Sequence, residues 1–348
     1  MSKTSFDRTN DLTQIAWERK LFLDSLKDTF FMPFHGGMNA LVQEKTDKTG
    51  TPASRGKPAT RVVFGLRSRE TGTGVNSRQA LEGNEGSLET FDFELALEEY
   101  ANALRDAGPL DRMRPAFSVD EETREALRGW GEEKIDELHF DAIQESPTRV
   151  FAPSQAAPFT TTPLASALAS LSTANLITPE FISKLRVYAR TGGNRTIIPL
   201  RPIKVKGFPK NLFVYVTHDD AVFDFVQDSK IQQNLRDARE RSSNHPLFMA
   251  AVGYTNDGVI IFGHENMNIT LTGGGAAVPT AQGAFMGQQS LVWAWGARPK
   301  MVAKNFDYDR EHGHSWQMIA RTAKPVFDSE DYGSFGVVTA RTSISDAT

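Results

Sequence analysis

RVVFGLRSR (61–69) and TFDFELALE (90–98) are the two stretches from which the fold is read. In the first, Val62, Phe64 and Leu66 share one face, while Arg61, Arg67 and Arg69 point the other way. In the second, Phe91, Phe93, Leu95 and Leu97 oppose Asp92, Glu94 and Glu98. Period-2 alternation of this kind predicts two half-buried strands. The glycine-dotted stretch between them, TGTGVNSRQALEGNEGSL (71–88), predicts a long connection. Antiparallel pairing would set arginines on one strand across from carboxylates on the other, which is mildly favourable. A two-stranded ribbon is marginal alone in water, so this one needs a support.

Outward from the ribbon, the chain alternates between punctuation and periodic segments. Residues 1–58 read as an extended arm. Trp17 lies in a short amphipathic piece with Ile15, Leu21, Leu23 and Leu26, and Phe30 and Phe31 follow in TFFMPFHGG. Residues 43–57 turn to linker chemistry. Isolated apolar anchors on a long arm often pack on a neighbouring molecule. Beyond the ribbon, Ser118 and Glu121 form a capping-box pattern that opens a long helix. Leu127, Trp130, Ile135, Leu138 and Ala142 fall on one side of it, against Glu122, Glu125, Glu132 and Glu133. From Glu82 to Glu145 there are roughly three acids per base, a solvated acidic surface.

SPTRVFAPSQAAPFTTTPLASALASL (146–171), with four prolines, reads as loop. Thr178 and Pro179 start a second helix carrying Phe181, Ile182, Leu185 and Ala189, ending at Gly192–Gly193. LFVYV (212–216) reads as a buried strand. A helix follows, capped by Asp219 or Asp220 and broken near 227–229. HPLFMAAVGYTNDGVIIFGHE (245–265) predicts a hairpin turning at Asn256–Asp257–Gly258. TGGGAAVPTAQG is a glycine-rich loop, and the chain closes on a strand.

Composition narrows the chemistry. The chain has 348 residues, 39% of them apolar, and a formal charge of −4. That balance argues against sequence-independent nucleic-acid binding, which needs a basic face. With no cysteine in the chain, disulfides and thiolate nucleophiles are excluded. The polar N-terminus has no signal-peptide pattern and no run approaches the ~20 apolar residues of a membrane span, so synthesis as a soluble cytoplasmic product is expected. TGTGV and GGGAA match no phosphate-binding motif. The hydrolase motifs G-x-S-x-G and H-E-x-x-H are absent. His35, His139, His218, His245 and His264 stand singly. Asp307, Asp309, His312 and His314 are close in sequence and are the candidate set for a divalent metal, as in a soluble metal-dependent enzyme. In an extended strand the two aspartates share a side without converging on the histidines. No residue is nominated as catalytic, and no cofactor is expected.

LEGNEGSLETFDFELALEEYANALRDAGPLDRMR (81–114), with the L-x-x-W and K-I-D-E-L that follow it, resembles the major capsid proteins of tailed bacteriophages, in particular the enquatro-like podovirus capsid family. The resemblance returns in 245–265, GQQSLVWAWG (287–296), FDYDREHG (306–313) and YGSFGVVTART (332–342), in the family's order. Gly86 stands where the family tends to carry an acid. The resemblance implies an α+β, Hong Kong 97-like capsid fold. It makes 1–58 the N-terminal arm, 59–98 the E-loop, 99–200 the spine helix and peripheral domain, 201–299 the axial domain, and 300–348 the return strands of the peripheral domain. The implied function is a shell of hexamers and pentamers around double-stranded DNA, assembled in the host cytoplasm. A separate scaffolding protein, a portal protein and a decoration protein are the implied partners. Inter-subunit contacts are expected from Arg61, Arg67, Arg69, Arg78, Glu82, Glu85, Asp92 and Glu94 of the E-loop. Trp17, Phe30 and Phe31 would anchor the arm, and Leu127, Trp130, Ile135 and Leu138 the spine. A cellular encapsulin-type nanocompartment, housing a cargo enzyme, shares the fold and is the rival reading. No lysine lies between Lys57 and Lys134, so a lattice without covalent E-loop lysine links is expected. The slightly acidic balance suits a DNA container, since a strongly basic inner wall would hold the genome tightly.

Overall fold

The structure is a computed structural model. It describes residues 30–37, 39–46, 60–67, 74–76, 82, 85, 90–109, 112, 119–155, 162–195, 199–203, 212–233, 254–270 and 278–342. Trp17, Arg69, Arg78, Ser118, the loop at 271–277 and the stretch 245–253 lie outside the described residues.

In chain order the strands are β1 (His35–Gly36), β2 (Val42–Thr46), β3 (Arg61–Arg67), β4 (Thr90–Ala96), β5 (Glu98–Arg105), β6 (Val150–Phe151), β7 (Phe213–Thr217) and β8 (Tyr254–Asn256). Then come β9 (Val259–Gly263), β10 (Ile269–Thr270), β11 (Thr280–Met286), β12 (Leu291–Phe306), β13 (Glu311–Ala323), β14 (Val326–Phe327), β15 (Glu330–Asp331) and β16 (Ser334–Ala340). The helices are α1 (Val119–Gln144), α2 (Leu164–Ala169), α3 (Pro179–Arg195) and α4 (Asp219–Gln227).

One sheet has the order β1-β2-β12-β13-β5. Its centre is the long β12–β13 hairpin, from Val292↔Ala323 to Phe306↔Glu311, with register shifts between Trp295 and Lys300. The other has the order β6-β16-β11-β7-β9-β8, with β10 on β11. The boundary expected at residue 299 falls inside β12, which belongs wholly to the first sheet, while β16 returns to the second. A strand 16 residues long carries its hydrogen-bond ladder across that position.

Helix α1 lies on the first sheet. Leu127, Ile135, Ala142 and Ile143 are buried, and Trp130 and Leu138 pack against them half-buried. Gly131 explains how close the helix comes. A Cβ there would meet the Trp316 ring at 2.7 Å. Glycine costs a helix about 1 kcal/mol against alanine, and here it admits a fully buried indole.

The second sheet is covered by α3 and α4. Phe181, Ile182, Leu185 and Ala189 of α3 and Ala221 and Phe225 of α4 bury against Tyr215, Phe285 and Phe335. Thr178 caps α3, its Oγ1 accepting Phe181 N–H at 3.3 Å. Gly192 is left-handed at φ 60°, as a C-terminal turn requires, yet helical bonding carries on to Arg195. The cap of α4 is His218, whose Nδ1 accepts Asp220 N–H at 3.2 Å, rather than either aspartate. The break after Gln227 lies at Asp228. The hairpin β8–β9 turns on Asp257 (φ 45°) and Gly258 (φ 79°), the left-handed pair that a two-residue turn demands. The proline-rich stretch 146–171 holds β6 and α2, elements too short to show a period in sequence.

Candidate assembly surface

The ribbon forms as its alternation requires. Strands β3 and β4 pair antiparallel, with Val62↔Leu95, Phe64↔Phe93 and Leu66↔Phe91 placing apolar residues opposite one another. Its support lies within the same chain. Phe64 and Leu95 are buried with Val292 and Ala294 of β12, and Val62, Phe93, Leu97 and Ala323 close around them. Phe93 meets Phe327 edge-on at 6.3 Å between ring centroids. Lys45 Nζ sits 4.5 Å from the Phe64 ring centroid and donates to the Val63 carbonyl at 2.8 Å, tying arm to ribbon.

The polar face carries the expected charge pairing once among the described residues. Arg61 Nη1 and Glu94 Oε1 are 2.8 Å apart, both largely exposed. Arg67 stands opposite Thr90 and Asp92 opposite Gly65, all exposed apart from the strand contacts. Glu82 and Glu85 are exposed. Glu98, grouped with the ribbon on sequence, instead pairs with Arg321 of β13, because the strand has already joined the first sheet as β5.

The arm root is deeply set. Phe31 is 1% exposed, and Phe30 packs half-buried against Phe140 (5.7 Å between centroids), Phe262 (5.7 Å) and His264 (5.1 Å). Phe30 N–H donates to Asp136 Oδ2 at 3.0 Å. Burial pushes the Asp136 carboxyl above its ordinary range. The two histidines that sequence left as singles, His35 and His139, meet here with Nε2 atoms 3.1 Å apart. His139 lies between Phe31 (5.1 Å) and Trp293 (4.7 Å), stacked on both. Its Nδ1 donates to the Ile135 carbonyl at 2.7 Å, so its Nε2 accepts from His35. Burial, with the His35 charge beside it, lowers the His139 pKa to about 3. The interaction with His35, whose Nδ1 lies 3.9 Å away, despite opposing burial, holds Glu44 below the usual carboxylate range. Glu44 also accepts from Trp295 Nε1 at 2.9 Å. The signal for His139 was present in sequence: it follows Ile135 by one helical turn, on the buried side. Nothing in the sequence near His35 pointed to its partner.

The metal candidates do not converge as a set of four. Asp307 faces Arg310, and Asp309 accepts from Asn305 at 2.9 Å. Both belong to the tip of the β12–β13 hairpin, where Asp307, Tyr308 and Asp309 are all left-handed (φ 46°, 54° and 67°) and Tyr308 is fully exposed. His312 and His314 turn inward to Asp120, at 3.5 and 3.4 Å. Asp106, Asp120 and His312 offer donor atoms within 4.8 Å of one another. Arg112 fills that space, with Nε 2.9 Å from Asp106 and Nη1 2.7 Å from His312 Nδ1. Its guanidinium already supplies the cation that the carboxylates call for. Burial opposes ionisation of Asp120, but His314 and His312 outweigh it and hold the carboxyl low.

A ribbon, an embedded arm root, a helix laid on a long-stranded sheet and a second sheet beyond it define the Hong Kong 97-like capsid fold. The capsid of Ralstonia phage GP4 superposes with a TM-score of 0.73 at 22% identity over 100% of both chains. The capsid subunit of cyanophage Pam1 gives 0.78 at 15% identity over 92% of this chain and 94% of that one. The major capsid protein of Pseudomonas phage KPP25 is 25% identical over 381 aligned residues, covering 97% of each chain. The model of the family described as "Phage capsid protein" matches residues 8–343, and the chain belongs to that family. That match decides against the cellular nanocompartment. No helix among the described residues is long and apolar enough to cross a membrane.

Proposed function

We propose that this chain is the major capsid protein of its phage, building an icosahedral shell of hexamers and pentamers around double-stranded DNA. The family match running from residue 8 to residue 343 carries the reading. Closed shells repeat one set of contacts many times, so each contact can be weak.

Within the shell, the ribbon at 59–98 acts as the E-loop and 1–58 as the arm. Residues 99–200 act as the spine and peripheral region, and 201–299 in the main as the axial region. Arg61, Arg67, Arg69, Arg78, Glu82, Glu85, Asp92 and Glu94 contribute charged contacts to a neighbouring copy, in the bidentate geometry arginine favours. With no lysine between 57 and 134, the lattice is non-covalent at the ribbon. A scaffolding protein, a portal and a decoration protein are the expected partners, and assembly takes place in the host cytoplasm. The enclosed DNA is held without sequence-specific contacts.

Expression with and without the phage's scaffold, followed by electron microscopy, tests this reading. Closed shells of uniform size are expected, and a chain that stays monomeric in both would sink it. Denaturing gels of mature particles should show the monomer alone. A ladder of covalent multimers would refute the non-covalent lattice.

A further inference from the structure

Strand β5 is the outer strand of the first sheet. It pairs with β13 on one side, from Gly313↔Arg105 to Ala320↔Glu98. No strand among the described residues takes its other side. The direction of the free groups is known. Asp106 N–H bonds inward to the His312 carbonyl, so even-numbered residues of β5 direct their backbone groups to β13. Odd-numbered residues therefore present theirs outward. Ala103 N–H agrees: it is taken by the Asn102 side chain at 2.8 Å, away from β13.

The chain's own upstream segment is a poor occupant of this edge. Leu97 N–H donates to the Thr60 carbonyl, so β3 reaches the start of the edge. Carried backward in that register, Pro58 would fall opposite Glu99 and Pro52 opposite Arg105. Both would stand where an N–H must be donated, and proline has none.

We propose that the outer edge of β5 pairs antiparallel with the same edge of a second copy, about a two-fold axis through Asn102. The inference rests on the shell-building reading and names one of its contacts. Outward groups on both strands must be odd-numbered, which leaves few registers. Centred on Asn102, Glu99 falls opposite Arg105 of the second copy and Arg105 opposite its Glu99, two exposed opposite charges, with Arg105 also paired to Glu311 of its own subunit and able to bridge both carboxylates. Tyr100 falls opposite Leu104, a side chain 41% exposed in the single subunit. Ala101 opposes Ala103, so the hydrogen-bonded pair beside the axis is small on both sides. Glu98 opposes Asp106, and each is already neutralised, by Arg321 and Arg112. Moving the axis to Ala101 or Ala103 loses the Glu99–Arg105 match. Paired edges of this kind remove the open N–H and C=O groups that otherwise invite indiscriminate sheet extension. In the single subunit Asn102 covers one of them until the partner arrives.

Asn102→Cys tests the axis. The chain has no other cysteine, so a single thiol can give only a dimer. Residues facing across a non-hydrogen-bonded antiparallel pair have Cα atoms about 4.5 Å apart, within disulfide range. Assembled particles of this variant, treated with a mild oxidant, should give a covalent dimer on non-reducing gels for the majority of chains. Ala101→Cys and Ala103→Cys should give at least fivefold less. Intact shells of Asn102→Cys without dimer would overturn the proposal. Should that variant fail to assemble, the charge match decides. Glu99→Arg and Arg105→Glu should each cut particle yield more than tenfold, and the double reversal should restore it. Two silent single reversals, or a double as poor as the singles, would overturn the edge pairing. Wild-type chain in the same cells reports separately on shell building: if it forms no shells, the wider reading fails and the edge contact with it.

Discussion

The arm root (Phe30–Thr46) and the ribbon root (Arg61–Ala96) both rest on β12, and they are held in different ways. Strand β2 runs parallel to β12 from Leu291↔Val42 to Trp295↔Thr46, inside the sheet. Phe31, Leu41 and Val42 are essentially inaccessible, and the His35–His139 bond and Asp136 fix the backbone from two sides. The ribbon offers β12 one stripe. Phe64 and Leu95 are buried, while Val63 next to them is 51% exposed. A segment enclosed on all sides unfolds with the core. A segment held on one face can lift away by itself, at the cost of that face alone. If the ribbon meets a neighbouring copy, as proposed, local opening would let it be re-laid there without unfolding the subunit.

Truncation of one aromatic in each root should break the comparison open. Phe31→Ala empties space between His139 and Phe140, and a fully buried Phe→Ala change costs about 3–5 kcal/mol. Denaturant unfolding of the free subunit should show that loss globally. Phe64→Ala removes a similar contact from the ribbon, and its cost to global stability should be smaller, capped at the free energy of lifting the ribbon, because a ribbon already open loses nothing more. Hydrogen exchange in β3 and β4 should rise by up to roughly a hundredfold, the ratio that about 3 kcal/mol allows, and should run ahead of exchange in β12. Equal global losses in the two variants would show that arm and ribbon unfold as one unit.

Acid should separate the roots next. His139 is neutral in the folded chain, with a pKa near 3 against 6.5 when exposed. The unfolded chain therefore binds the extra proton first. The stability this group supports is complete above pH 6.5 and declines as pH falls toward 3, by about 1.4 kcal/mol per pH unit at most. Asp136 acts the other way, since its raised pKa lets the folded chain take up a proton before the unfolded one. His139 is the most completely buried of the described histidines, so its slope should lead between pH 6 and 5, with His264 and His314, both lowered by burial, adding in the same sense. His139→Phe keeps a ring between Phe31 and Trp293 and removes the titration. Acid unfolding followed by tryptophan fluorescence should show a shallower slope between pH 6 and 5 in this variant, what is left coming from His264 and His314. An unchanged slope would assign the acid sensitivity to another group.

What sequence disclosed follows the same division. Period-2 alternation is a local pattern, so β3 and β4 were legible, down to which residues face β12. So was the spine, because Leu127, Ile135 and Ala142 repeat at helical spacing. The assembled sheets were less legible. Residue 299 came from the resemblance and not from any local pattern, and register shifts between Trp295 and Lys300 carry β12 through it as one strand. The histidines were missed for a different reason. His35 and His139 are 104 residues apart, and their bond exists only once the arm is threaded beside the spine. The Asp307–His314 cluster erred in the opposite sense. Neighbours in sequence were separated by a left-handed hairpin tip, and two of them turned inward to Asp120 and Arg112, which lie outside that run.

The smallest expected effect belongs to the one ion pair on the ribbon among the described residues. Arg61 and Glu94 are both largely exposed, and pairs of that kind contribute about 0–1 kcal/mol. Arg61→Ala should therefore leave the unfolding midpoint of the free subunit almost unmoved. Its effect should appear in assembly, because a contact that is negligible once is repeated at every copy of the lattice. Particle yield at 0.5 M salt compared with low salt reads this directly: exposed pairs are screened over roughly a Debye length, about 10 Å at 0.1 M and less above it. If Arg61 only steadies its own hairpin, the variant and the wild type will lose yield in parallel as salt rises. If it also meets a carboxylate of a neighbouring copy, the variant will start lower at low salt, and the two curves will converge as salt removes from the wild type what the substitution has already removed.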